Sequence, residues 1–217
     1  VGMGRLTKTL MQGGVGLTLV VATLPAVAED AACAMTYTPV YQIQGAGPSA
    51  AITGTVTTQG VVVGDFEGSA AVSGFYLQDP AGDGDPSTSD GIFVYTGSGN
   101  LVSAGQRVRV TGFARERFNQ TALNGSSSNT AAVPAANIID CGSGSVTPTD
   151  VLLPFASATD PERYEGMLVR LPQALVVSEY FNYDRFGEMV LGLPLDGESR
   201  LITPTAIESP GRGFIEG

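Results

Sequence analysis

The fold of this chain is decided by one stretch of sequence, Gly74-Phe-Tyr-Leu-Gln-Asp-Pro-Ala-Gly-Asp-Gly-Asp-Pro-Ser-Thr-Ser-Asp-Gly-Ile-Phe-Val-Tyr95. Two short runs in it, Phe75 to Gln78 and Ile92 to Tyr95, combine aromatic and aliphatic residues in a way that fits a pleated, half-buried strand. The residues between them are rich in Asp, Gly and Pro, which favour tight turns. The stretch therefore predicts a β-hairpin with an acidic loop.

Three more strands are predicted around this hairpin: Thr55 to Phe66, bent at Gly60; Gln106 to Thr121, with a bulge at Gly112; and Asn137 to Cys141. The Ser/Asn/Ala-rich residues Ala122 to Ala136 predict a surface loop. Five strands in about 90 residues, two of them long and curved, favour an all-β, OB-like five-stranded barrel. An immunoglobulin-like sandwich is the alternative, although it needs more strands at even spacing.

Composition divides the chain into segments. We expect a signal peptide at residues 1–28, an extended lead-in at 29–53, the barrel at 54–141, a Ser/Thr/Pro-rich linker at 142–157 and a partial β-rich unit at 158–217. In this last unit, Pro161 predicts the start of a helical turn, and Met167 to Val177 and Arg185 to Leu191 predict strands. The chain ends without a hydrophobic closing strand, so we expect a truncated second unit.

The first 28 residues have the three parts of a secretory signal. Arg5 and Lys8 form a basic start, Leu10 to Leu24 is apolar, and Pro25-Ala-Val-Ala28 ends in an A-x-A cleavage site. The apolar run is shorter than the roughly 20 residues that a membrane span needs, which disfavours the alternative of an anchor. We therefore expect a secreted protein, extracellular or periplasmic, with no stable membrane insertion after cleavage.

Two cysteines, Cys33 and Cys141, are present. In a secreted protein an even number predicts a disulfide, and two free buried thiols are the alternative. Closing a loop of roughly 100 residues would stabilise the fold by about 4–5 kcal/mol.

Charge and composition exclude several functions. The chain contains no histidine, which excludes a Ser-His-Asp triad, a Cys-His pair and a His-ligated zinc site. The net charge is −10, and the part after residue 28 has nine Arg, no Lys and 21 acidic residues, a net charge of −12. Such a surface disfavours binding to a phosphate backbone unless the arginines are focused in one place.

The predicted strand Gln106 to Thr121 brings four of the arginines together. Its arginines are all odd-numbered, whereas Val108 and Val110 are even, so strand alternation places the arginines on one outer face with Phe113. A basic stripe with aromatic side chains is typical of single-stranded nucleic-acid binding. The alternative is a solvated face whose arginines pair with acids such as Glu67 and Glu116. The candidate contact residues are Arg107, Arg109, Phe113, Arg115, Arg117 and Tyr76.

The acidic loop is a second candidate site. Carboxylates and the backbone carbonyls of a Gly-rich loop are ligands that Ca²⁺ prefers, although the spacing does not match an EF-hand. The alternative is a set of Asx turns, in which Asp side chains accept hydrogen bonds from the backbone. The candidate ligands are Asp79, Asp83, Asp85 and Asp90.

A third, weaker candidate is an aromatic cluster that would suit carbohydrate binding. It consists of Tyr180, Phe181, Tyr183 and Phe186.

Four motifs also carry a family likeness, in the order of the chain. They are Gly74-Phe-Tyr-Leu-Gln-Asp-Pro80, Asp83-Gly-Asp-Pro-Ser-Thr-Ser-Asp-Gly-Ile-Phe-Val-Tyr95, Gly105-Gln-Arg-Val-Arg-Val-Thr-Gly112 and Asp160-Pro-Glu-Arg-Tyr-Glu-Gly-Met-Leu-Val-Arg170. From about Tyr41 onward the chain resembles the N-terminal, non-catalytic region of secreted bacterial endonucleases of the ExeM/NucH type.

The resemblance implies an OB-like module that precedes a catalytic domain of the endonuclease/exonuclease/phosphatase superfamily. That domain would need a divalent metal such as Mg²⁺ and a pair of histidines, and no catalytic residue maps onto this chain. The expected function is an accessory module that positions extracellular DNA or RNA for the catalytic domain of the same polypeptide. The alternative is a structural or calcium-stabilised interaction module.

Overall fold

The computed structural model of the protein describes residues 31–68, 72–181, 183–186 and 189–194. The predicted signal peptide and residues 195–217 lie outside the described residues.

Five strands form a closed, mixed barrel. Its strand order is β1-β2-β3-β5-β4, and β4 pairs back onto β1. The pair β3–β5 is parallel, and the other pairs are antiparallel. The prediction of an all-β, OB-like barrel is confirmed. The strands are β1 (Gly54–Phe66), β2 (Gly74–Gln78), β3 (Gly91–Tyr95), β4 (Gln106–Glu116) and β5 (Thr121–Asn124); β6 (Ile138–Ser143) lengthens the sheet beside β4.

Strand β1 closes the barrel because it changes partner along its length. It pairs with β4 from Gly54 to Val61 and with β2 from Val61 to Phe66. The partner change lies beside Gly60, where a Cβ atom would approach the carbonyl oxygen of Gln78 to 2.5 Å. Glycine there lets β2 pass close to the bend.

Alternate residues of the strands fill the barrel. The short helix α1 (Val40–Gln44) closes one side of this core with Val40 and Ile43, both fully buried. The inward side chains of the strands are Val62, Phe75, Leu77, Ile92, Val94, Val108, Val110, Ala114 and Leu123.

The extended lead-in predicted for residues 29–53 is wrong where α1 stands. Val40 and Ile43 lie three residues apart, which is helical spacing, but one turn is too short for its periodicity to be read from the sequence. Gly45 ends the helix with a positive φ of 74°.

The loop predicted for Ala122 to Ala136 is also wrong, because β5 occupies its start. Strand β4 ends at Glu116, and Arg117 and Gln120 close a two-residue turn through reciprocal backbone hydrogen bonds. The turn residues Phe118 and Asn119 both have positive φ, 54° and 62°. A turn with positive φ at both central residues usually has Asn or Gly at both positions. Because Phe118 occupies the first of them, the turn is not recognisable from the sequence.

The bulge predicted at Gly112 is wrong as well. Strand β4 pairs with β1 in unbroken register through Gly112, and its register shift lies between Gln106 and Val108, opposite β6. A Cβ atom at Gly112 would lie 3.0 Å from the Cβ of Leu123, so close packing inside the barrel explains this glycine.

Beyond the barrel, the predicted helical turn is present as a 3₁₀ helix at Asp160–Tyr164 with Pro161 near its start. The two long strands predicted there are wrong in extent, because Pro172 lies within the first and a helical turn at Tyr183–Phe186 occupies the start of the second. The observed elements are β7 (Thr149–Asp150), β8 (Val169–Arg170), β9 (Val176–Glu179), α2 (Tyr183–Phe186) and β10 (Val190–Gly192). Strand β7 pairs with β8, so the predicted linker contributes a strand.

The predicted disulfide between Cys33 and Cys141 is present, with a Cα–Cα distance of 5.7 Å. It joins the segment before α1 to β6. Among the residues that the structure describes, no helix has the length and apolar character to cross a membrane.

Candidate nucleic-acid interface

The alternation predicted for β4 is present, but its arginines divide into two groups. Arg109 is only 7% exposed, and its guanidinium donates to the carbonyl oxygens of Met35 at 2.9 Å and Thr36 at 2.8 Å. Arg107 donates from Nε to the carbonyl of Cys141 at 3.1 Å. These two side chains therefore hold the disulfide-linked segment and β6 against β4.

The other two arginines lie at the far end of β4. Arg115 donates from Nε to the carbonyl of Glu116 at 3.0 Å, and Arg117 donates from Nε to the carbonyl of Asn129 at 3.1 Å. The Arg117 guanidinium lies over three rings, 4.1 Å from the centroid of Tyr95, 4.9 Å from Phe118 and 5.7 Å from Phe93. Cation–π contacts of this kind hold a guanidinium in place without neutralising its charge.

The suggested acidic partners have other roles. Glu67 accepts hydrogen bonds from the Thr96 hydroxyl and from the backbone N–H groups of Leu101 and Val102. Glu116 accepts from the backbone N–H of Ala50 and the hydroxyl of Thr121. Both carboxylates tie loops to the barrel.

Tyr76 belongs to a row of rings on the outer face of β1, β2 and β3. It lies opposite Phe93 in the register, with ring centroids 5.2 Å apart, and Phe66 meets it edge-on at 5.9 Å. Gly74 leaves room for this row, since a Cβ there would lie 2.5 Å from the Phe93 ring. We call the aromatic row the residues Phe66, Tyr76, Phe93, Tyr95 and Phe118.

Prediction from the sequence found only part of this face. Phe93 and Tyr95 share the parity of Tyr76 across a hairpin that was predicted, so pairing β2 with β3 could have revealed them. Phe118 had no such signal, because the turn that displays it was missed. Phe113 lies half-buried on β4 opposite Thr55 and Asn124.

Residues 160–168, which we call the strap, dock onto the barrel beside this face. Ser89 donates from its hydroxyl to the carbonyl of Glu165 at 2.6 Å, and the backbone N–H of Leu168 donates to Oε1 of Gln78 at 2.7 Å. Gly91 and Gly166 meet backbone to backbone, so closely that a Cβ on Gly91 would clash with Gly166.

A groove of about 570 Å³ separates the strap from the barrel. Phe66 and Tyr76 line it on the barrel side, and Glu162, Glu165 and Met167 line it on the strap side. Its volume and mixed lining are within the range of small-molecule sites.

Glu165 is the most perturbed acid in this region. Burial raises its pKa to about 7, against the lowering effect of hydrogen bonds from the Thr121 backbone N–H at 2.7 Å and the Gln44 amide at 3.4 Å. The negative charges of Glu162 and Glu116 raise the pKa further.

The acidic loop contains the Asx turns that were the alternative to calcium binding. Asp79, Asp83 and Asp85 each accept, through Oδ1, a hydrogen bond at 2.9 Å from the backbone N–H two residues later. Burial raises the pKa of Asp90 to about 6, and the charges of Asp83 and Asp79 add to the rise. In the described part of the chain no three His, Cys, Asp or Glu side chains are grouped to hold a metal ion. Calcium binding stays a prediction.

The third candidate cluster lies around β9 and α2. Tyr180, Phe181 and Tyr183 are exposed by 74%, 87% and 55%. The side chain of Phe186 lies outside what the structure describes.

Comparison of the chain with protein-family models, with curated proteins and with solved structures gave no match. The strand order and the closing pair β1–β4 define the class as an OB-like β-barrel protein. The likeness to secreted endonucleases stays a prediction.

Proposed function

We propose that this OB-like barrel binds single-stranded nucleic acid as an accessory module of a secreted nuclease. The contact surface consists of Arg115, Arg117 and the rings of the aromatic row other than Phe93, which is fully buried. The observation that carries the proposal is the position of Arg117, whose guanidinium lies between the ring of Tyr95 and the ring of Phe118, which is 74% exposed.

The chemistry of this surface suits a single strand. The exposed rings of Phe66 and Phe118 offer stacking platforms to bases, and a guanidinium held beside them offers a charged contact to phosphate. Phe118 has a left-handed backbone conformation, which is energetically unfavourable for a bulky residue. Backbone strain of this kind is concentrated at functional sites. In OB folds the face of the second and third strands is a common site for oligonucleotides.

The proposed surface is smaller than the predicted one. Arg107 and Arg109 serve the fold through backbone carbonyls, so they are left out of it. This restricts the basic region to one end of β4, and an acidic chain then binds through a local patch rather than through its net charge.

The test is fluorescence anisotropy of a labelled oligo-dT strand at low salt. Arg117→Ala and Phe118→Ala should each weaken binding about ten-fold, since a stacked base contributes roughly 1–3 kcal/mol. Arg170→Ala is the matched control, because it removes the same charge from an exposed pair with Asp150. Absence of wild-type binding, or equal losses in Arg117→Ala and Arg170→Ala, would contradict the proposal.

A calcium-stabilised interaction module is the second candidate. It is favoured by Asp90, whose Oδ1 is buried with no hydrogen-bond partner and whose carboxyl feels the charges of Asp79 and Asp83. A bound cation would relieve this repulsion. A rise in melting temperature with Ca²⁺, absent in Asp90→Asn and combined with no oligonucleotide binding, would favour this candidate over the first.

A further inference from the structure

We propose that the groove between the strap and the barrel holds one unstacked guanine base of the bound strand. This inference rests on the proposed function and deepens it. It adds a preference for one base to a surface that otherwise contacts only phosphates and the faces of the bases.

The walls of the groove suit a flat, apolar ring. Tyr76 and Phe66 lie edge to face on the barrel side, and Met167 lies on the strap side. The Tyr76 hydroxyl is fixed by the amide of Gln120, which donates to it at 3.2 Å. The groove also borders the proposed contact surface, since Phe66 and Tyr76 belong to both and Tyr76 packs on Phe93, whose ring centroid lies 5.7 Å from the Arg117 guanidinium. A strand whose phosphates meet Arg117 can therefore place a base in the groove.

The polar side chains of the groove favour ligands that carry hydrogen-bond donors. Glu162 and Glu165 are acceptors, and none of the described residues that line the groove is Arg or Lys. Phosphate is therefore kept out, whereas a group with N–H donors is attracted.

Glu165 is held in position for such a contact. Its Oε1 receives the hydrogen bonds from Thr121 and Gln44, so the second carboxylate oxygen has capacity for a ligand. The carboxylate is fixed by two barrel elements rather than by the strap alone, which gives it the orientation that base recognition needs.

Guanine is the base whose donors match the acceptors of Glu162 and Glu165, both of which line the groove. Its Watson–Crick edge has adjacent donors at N1 and N2, whereas adenine and cytosine place a ring acceptor beside their amino group and thymine places carbonyls beside its single donor. A carboxylate would repel these acceptors. An unstacked base is readable at this edge in single strands.

The experiment compares oligo-dT strands that contain one central guanine, one inosine or one 7-deazaguanine with plain oligo-dT, by anisotropy competition above the pKa of about 7 of Glu165, where its carboxyl is ionised. Inosine lacks the N2 amino group, and 7-deazaguanine keeps N1 and N2. We expect guanine and 7-deazaguanine to bind about ten-fold tighter than thymine, and inosine to lose most of that gain. Glu165→Gln should remove the guanine preference and keep oligo-dT binding, with Glu179→Gln, an exposed glutamate on β9, as the control.

The outcomes separate this inference from the proposed function. Equal binding of all four strands overturns the guanine site and leaves nucleic-acid binding intact. If no strand binds, the proposed function fails. Titration with guanosine alone then tests whether the groove binds guanine. Guanosine binding that Glu165→Gln abolishes would support the site, and absence of guanosine binding would overturn it.

Discussion

Arg109 and Arg117 have the same parity in one stretch of chain, yet their surroundings give them different roles. Arg109 is buried, and the carbonyl oxygens of Met35 and Thr36 accept charge-assisted hydrogen bonds from its guanidinium. Arg117 lies on rings at the edge of the barrel. The first residue is therefore part of the fold, and the second belongs to the proposed contact surface.

Arg109→Ala tests this division. We expect a loss of about 2–4 kcal/mol in the free energy of unfolding, since two charge-assisted hydrogen bonds and buried packing are lost together. Urea denaturation measures it, with the exposed Arg170→Ala as the control that should change stability by less than about 0.5 kcal/mol. Under folding conditions Arg109→Ala should bind oligonucleotide like wild type; a ten-fold loss would return Arg109 to the contact surface.

The raised pKa of Glu165 should make the stability of the fold depend on pH. Its folded pKa of about 7 lies above its ordinary value of 4.5, so between these values the folded state binds more protons than the unfolded state. The stabilisation that Glu165 contributes is therefore fully present below about pH 4.5 and is lost as the pH rises to about 7.

Glu165→Gln should flatten that dependence and raise stability at the alkaline end. Solvent screening of this partly exposed carboxyl reduces the effect to about 1 kcal/mol, or roughly 3 °C in melting temperature between about pH 5 and pH 8. Thermal melts followed by circular dichroism measure it. A variant as pH-dependent as the wild type would show that other groups, Asp90 among them, dominate the slope.

At the scale of elements, the strap joins the predicted second unit to the barrel. Its contacts run to β2, β3, β5 and α1 through Gln78, Gly91, Thr121 and Gln44. Because the strap forms one wall of the groove, its docking decides whether the groove exists.

Gly91→Ala should therefore loosen the strap. The new methyl group would clash with Gly166 in a backbone contact that cannot give way cheaply. We expect faster amide hydrogen exchange at residues 160–168 and loss of any guanine preference, with a destabilisation of about 1–3 kcal/mol. Gly47→Ala is the control, because a Cβ there meets nothing within 4 Å. Unchanged exchange in the strap would show that the glycine contact is dispensable.

At the scale of the whole molecule, the disulfide joins chain segments with a sequence separation of 108. It connects the segment held by Arg109 to β6, which borders β4. The barrel core is complete without it, since its strands and α1 supply the buried cluster.

Replacing both cysteines, Cys33→Ser with Cys141→Ser, should therefore lower stability without changing the fold. The expected loss is about 4–5 kcal/mol in the chain-entropy account of a loop of this size. Urea denaturation measures the loss, and far-ultraviolet circular dichroism of the native variant checks the fold. A loss of the native β spectrum would mean that the bridge is needed to form the barrel.

Local sequence was sufficient for several features of this protein. Alternation between Phe75 and Gln78 and between Ile92 and Tyr95 identified the hairpin, and the parity of Val108 and Val110 identified the inner face of β4, because strand side chains alternate whatever the partner. Cys33 and Cys141 could pair with no other cysteine. The number and length of strands predicted the OB-like class correctly, although the predicted fifth strand is β6, which lies beside the barrel, and the barrel's own fifth strand is β5.

Only the tertiary structure decided the rest. The four residues of β5 are all buried, so they show no alternation, and the turn before them uses Phe118 where Asn or Gly is usual. The burial of Arg109 and the groove under the strap depend on contacts between residues more than 40 positions apart, such as those of Arg109 with Met35 and of Glu165 with Thr121. Alternation states which side of a strand a residue faces, but what covers that side is set by chain segments that are distant in the sequence.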